Sequence, residues 1–99
     1  MAARVEADLR VPQIRDAEEA LRLYYTQPQI GKADCMRIFG CSANAWWRLK
    51  RAALDAMRAR EVPQWNGRYV STIVAFEAWG IDVPRLERGL ERMRKVLRG

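Results

Sequence analysis

Two local signals between Ile30 and Ser71 constrain the fold more than anything else in the chain: Gly40 followed two residues later by Ser42, and Asn66 directly before Gly67. Glycine closes a helix in a left-handed turn at no steric cost, and a serine just beyond it accepts the hydrogen bonds that open the next helix. The spacing predicts a helix over Lys32–Phe39, a tight turn, and a second helix from Ala43 to about Arg60. That second helix has an inward stripe of Trp46, Leu49, Ala53 and Met57, spaced three, four and four. Asn-Gly is the two-residue loop whose twist matches a hairpin, so residues 62–65 and 68–71 are expected to pair as strands. In that register Trp65 faces Arg68, with the guanidinium over the indole, and Pro63 faces Val70 on an edge strand.

The flanking segments are less emphatic. Residues 1–12 read as a loose arm. Asp16 and Glu19 have the spacing of a capping box and open a first helix over residues 16–25, which Pro28 prevents from continuing. Ser71 or Thr72 caps a short, mostly buried helix through Trp79, with Gly80 just past its end and Ile81 as the apolar contact beyond it. Asp82 caps a last helix over residues 82–98, where Val83, Leu86, Leu90, Met93 and Leu97 form a heptad stripe about two heptads long. The expectation is a single, mainly α domain over residues 1–99. Its centre, residues 30–80, is two helices and a two-stranded β-hairpin, followed by an amphipathic C-terminal helix.

Charge is sorted along the chain. The net charge is +6, yet residues 32–60 alone carry seven basic and two acidic groups, and residues 83–99 carry six and two. Such concentration points to nucleic acid or another polyanion as partner. Histidine is absent, which removes the commonest general base and metal ligand. Cys35 and Cys41 lie six apart with no further ligand nearby, which is not a zinc spacing, and both fall at apolar positions as reduced core thiols. Glu18 and Glu19 start an exposed helix, Asp34 and Asp55 sit in charged helical faces, and no phosphate loop or paired nucleophile and base is present. The reading is therefore no enzyme, no cofactor, no metal and no small-molecule substrate. No apolar run reaches the length of a bilayer, and the start MAARVEADLR lacks a signal peptide's apolar core, so a cytoplasmic protein without a membrane partner is expected.

Two helices joined by a glycine turn form a helix-turn-helix when inward residues flank the turn and the second helix is free to enter the major groove. Cys35, Phe39 and Cys41 supply the inward residues. Met36 stands where a small alanine is usual, which predicts a wider helix separation. Asn44, Trp47 and Arg48 are the expected base-reading residues, since Asn pairs bidentately with adenine and Arg with guanine, while Trp47 either contacts thymine methyls and sugars or packs into the wing. Lys32, Lys50, Arg51, Arg58 and Arg68 are the expected backbone contacts. Leu86, Leu90, Met93 and Leu97 are the expected seam of a homodimer.

With these elements in place, the chain resembles the winged helix-turn-helix domains of the MerR and phage excisionase type. The resemblance rests on IGKADCMRIFGCSANAWWRL, on Val62-Pro63, on Arg68-Tyr69-Val70 and on Phe76-Glu77-Ala78-Trp79, and covers about residues 30–80. The second helix is longer than is usual there, an extra N-terminal helix precedes the unit, and no effector-sensing part follows. The resemblance implies sequence-specific binding of double-stranded DNA by a phage or mobile-element protein, as a transcription regulator or an excisionase-like architectural protein. The alternative is an assembly module, such as a terminase small-subunit-like packaging component, working through the last helix and exposed tryptophans.

Overall fold

A computed structural model describes residues 11–98, which form five helices and one small sheet in the order α1 (Ala17–Thr26), β1 (Gln29–Gly31), α2 (Lys32–Phe39), α3 (Ala43–Ala59), β2 (Tyr69–Ser71), α4 (Thr72–Ala78) and α5 (Val83–Arg98). Of the arm expected over residues 1–12, residues 1–10 lie outside the described residues. Val11 is half-buried and packs against the core.

The helix ends are set by the residues that announce them. Asp16 Oδ1 accepts from the Glu19 amide at 3.0 Å, but Glu19 does not complete a capping box. Its carboxylate instead takes Arg22 at 2.6 Å and Arg37 of α2 at 3.3 Å. Gly40 has φ 65°, and its N–H donates to Met36 O at 2.8 Å, so α2 ends in a left-handed cap. Ser42 Oγ then accepts from the Ala45 amide at 3.3 Å and opens α3. Only three residues, Gly40 to Ser42, separate the two helices. Beyond α4, the N–H groups of Gly80 and Ile81 donate to Glu77 O at 3.0 Å and Phe76 O at 2.9 Å, the double hydrogen bond of a Schellman cap.

The sheet is where the structure departs from the expectation. β2 does not pair with residues 62–65 across Asn66-Gly67; it pairs antiparallel with β1, Ile30 opposite Val70 and Gly31 opposite Tyr69. Residues 60–68 are an irregular loop. Two local forces explain this. The Val62 amide is taken by Met57 O at 2.8 Å as α3 ends, and Pro63 has no amide to give. Pro28 meanwhile leaves the chain extended beside β2, where the buried Thr72 donates its hydroxyl to Gln27 O at 2.6 Å and its amide to Pro28 O at 3.0 Å. The expected two-residue loop centred on Asn66-Gly67 is not formed either, and neither residue takes a positive φ: the turn that closes here runs from Asn66 to Tyr69, centred on Gly67-Arg68, with Tyr69 N–H donating to Asn66 O at 3.1 Å and Arg68 N–H to Asn66 Oδ1 at 2.9 Å. At Gly31 a side chain has no room, because a Cβ there would lie 2.9 Å from the Tyr69 ring.

One core lies between the helices. Leu23 of α1, Ile30 of β1, Cys35 and Ile38 of α2, Leu49 and Ala53 of α3, Phe76 of α4 and Trp79 at its C-cap are its buried centre. The Trp79 indole N–H is satisfied inside it by Leu49 O at 2.7 Å, which joins α4 to α3. Phe39 meets Trp79 edge to face at 5.8 Å. Met36, expected between α2 and α3, is instead 41% exposed, since the inward stripe of α2 is Cys35, Ile38 and Phe39. It therefore cannot hold the two helices apart. Cys35 is fully buried and Cys41 half-buried; both are free thiols, and burial pushes the Cys35 thiol far up from its ordinary range.

Helix α5 lies along α1, fastened by Tyr25 Oη donating to Glu87 Oε1 at 2.6 Å. Its stripe is divided. Val83 is buried and Leu86 and Leu90 pack against the core, whereas Met93, Val96 and Leu97 are exposed. Among the described residues no helix is long and apolar enough to cross a membrane.

Candidate nucleic-acid interface

Helix α3 turns Ala45, Trp46, Leu49, Ala53 and Met57 into the core, and the 100° step between residues then places Asn44, Trp47, Arg48, Arg51 and Arg58 on the opposite side. All five are exposed. The expected base readers and two of the expected backbone contacts therefore share one open face. Trp47 is 61% exposed, so it does not pack into the neighbouring loop. The Lys50 ammonium lies over its ring, 5.0 Å from the centroid.

Lys50 is also the clasp that brings the loop to the helix. Its Nζ donates to Gly67 O at 2.6 Å, so much of its donor capacity serves to hold residues 60–68 beside α3. Lys32 and Arg68 are exposed neighbours at one end of the sheet, each one step beyond the Gly31–Tyr69 pair. Lys50 thus joins the Trp47 ring to Gly67, next to Arg68, and the sheet register sets Lys32 beside Arg68. The stacked Trp65–Arg68 pair is not formed. Trp65 stands 80% exposed at the loop, because its expected strand does not exist.

Two further features belong to this face. Asp55 lies within it, three residues before Arg58 and 3.9 Å from its guanidinium. The first turns of α3 are thus free of negative charge, and the distal turns are not. The second is Tyr69, 40% exposed, over Gly31 at the sheet's edge. Its aromatic character in a strand next to Arg68 is the signal that was available.

At the back of the loop, Arg60 makes a two-armed ion pair with Glu77 of α4, one arm at 2.9 Å. The guanidinium holds the Glu77 carboxyl below the usual carboxylate range. Likewise Arg22, and more weakly Arg37, hold Glu19 below that range. These pairs tie α1 to α2 and the end of α3 to α4, which fixes the frame behind the exposed face. Among the described residues no group of three His, Cys, Asp or Glu side chains is placed to hold a metal ion. A groove of about 520 Å³ runs between α1 and α5, rimmed by charged side chains including Glu18, Arg22 and Glu91.

No protein-family model matches the chain, and no curated protein or solved structure shows significant similarity to it.

Proposed function

We infer that the protein is a winged helix-turn-helix module that binds double-stranded DNA sequence-specifically, with α3 in the major groove and residues 60–68 as an irregular wing along the flanking backbone. The observation that carries this is the unobstructed face of α3, on which Asn44, Trp47, Arg48 and Arg51 are exposed together one short turn after α2. Asn44 and Arg48 are the base readers, Trp47 offers apolar contact to thymine methyls and sugars, and Arg51, Arg58, Lys32 and Arg68 neutralise phosphates. Lys50 acts chiefly through the loop that it holds. A regulator or excisionase-like architectural protein of phage type is the biological role that this reading favours.

The test is selection of bound sites from a random duplex pool, followed by anisotropy titrations of the consensus at two salt concentrations. Asn44→Ala or Arg48→Ala should each cost about 1–3 kcal/mol on the consensus and relax preference at one base position. Arg51→Gln should weaken all duplexes alike and reduce the salt slope by about 0.9. Failure to enrich any site, or binding indifferent to salt, would refute the reading. A second reading, a homodimeric or assembly module, draws on the exposed Met93, Val96 and Leu97 at the free end of α5. It is favoured if sedimentation shows self-association that Leu97→Gln abolishes.

A further inference from the structure

Four of the six basic residues of α5 share one side, while Arg94 and Arg98 line the groove toward α1 together with the helix's two acids. Arg85, Arg88, Arg92 and Lys95 follow at steps of three, four and three, so they lie in one row about 15 Å long on a straight helix. All four are exposed, and none takes part in an ion pair among the described residues. The helix's two acids are turned to the α1 side: Glu87 receives the Tyr25 hydroxyl, and Glu91 lines the groove against α1. A merely solvated helix alternates its charges for local pairing. Here Glu87 is engaged by Tyr25 and Glu91 borders the row on its groove side next to Lys95, while no ion pair neutralises the four cations among the described residues.

We propose that this row is a second, sequence-independent site for the phosphodiester backbone of DNA, and that it holds a second duplex segment while α3 engages the first. Helices α3 and α5 share no extended packed face, and each buries its apolar stripe in the same core. On this proposal the two outward faces are separate binding surfaces, so that a duplex seated on α3 leaves α5 to a second segment. A bilayer is the poorer partner. Three of the five stripe residues that a surface-lying helix would insert, Val83, Leu86 and Leu90, are already used by the core. Phosphate contacts need only exposed cations at the surface, and these the row supplies.

The inference rests on the DNA-binding reading, and its test separates the two. Two short consensus duplexes, one labelled with a donor and one with an acceptor, are mixed with the full chain, and energy transfer reports bridging. A variant with Arg85, Arg88, Arg92 and Lys95 all changed to Gln should lose bridging yet keep its preference for the consensus. Its salt slope on long duplex DNA should fall by about 3 to 4. The double variant Met93→Gln, Leu97→Gln, which removes a dimer seam, should still bridge; loss of bridging there would assign it to self-association and overturn the proposal. An unchanged salt slope in the fourfold variant also overturns it. So does a fourfold variant that loses only its binding to phosphatidylglycerol vesicles, which would make α5 a membrane-surface helix. If the row variant behaves as expected while Asn44→Ala and Arg48→Ala change nothing, the row stands and the α3 reading falls.

Discussion

Glu61 occupies backbone geometry that glycine favours, with φ 57° just past Arg60, the C-cap of α3. Its N–H donates to Arg58 O at 3.2 Å while that of Val62 donates to Met57 O, so the residue closes a Schellman cap at a steric cost. Glu61→Gly should stabilise the protein by about 0.5–1 kcal/mol and raise Tm by several degrees; a thermal melt in which Tm falls would show that the charged side chain contributes more than the strain costs. Residues that announce themselves chemically were legible here: Gly40, Ser42 and Gly80 stand where their types predicted. The end of α3 was legible only to within a residue, because no glycine marks it. Asp55 makes the complementary point. Its carboxylate lies within the proposed DNA face, so Asp55→Asn should tighten duplex binding by about 0.5–1 kcal/mol, or two- to fivefold, measured by anisotropy at low salt. Weaker binding would place that end of α3 away from the phosphates.

The helices follow their apolar periodicity closely, but the sheet does not follow the strongest hairpin signal in the chain. The chain turns one residue later than that signal predicts, from Asn66 to Tyr69, and the strand after the turn pairs with Gln29–Gly31 instead of its neighbour. Three residues are too few to show alternation, and a partner forty residues away leaves no local trace. The proposed wing is consequently held by contacts and not by a ladder. Lys50→Met should loosen residues 60–68, seen as faster amide exchange at Arg68, while leaving helix content unchanged; unchanged exchange would show that the Asn66 turn suffices alone. The loop's other anchor is sensitive to acid. Because Arg60 depresses the Glu77 carboxyl, the stabilisation from that pair is present above the ordinary carboxylate range and is lost as the pH falls through the lowered value. Melting curves of the wild type and Glu77→Gln should therefore differ at neutral pH and converge as the pH falls below the ordinary carboxylate range and through that lowered value. A difference that stays constant down to acid denaturation would rule out this carboxylate as its source.

For the molecule as a whole, the stripe on α5 was legible as a stripe but not as to what it covers. Periodicity shows an apolar row equally well whether it faces a partner or its own domain. Leu86 and Leu90 face the domain, and Met93 and Leu97 do not. Leu90→Ala should accordingly cost about 1–2 kcal/mol in urea denaturation, and Leu97→Ala under about 0.5 kcal/mol for the monomer. Equal costs at low concentration would mean that the distal half of the helix is covered too. The sheet has a last consequence. Its two strands lie on either side of residues 60–68, so hydrolysis of the bond between Gln64 and Trp65 would sever the polymer without parting the halves. The first piece contributes Ile30 and Leu49, and the second Val70 and Trp79, to interlocked surfaces. Such a nicked molecule should sediment as one particle, and the separately synthesised pieces should complement each other when mixed.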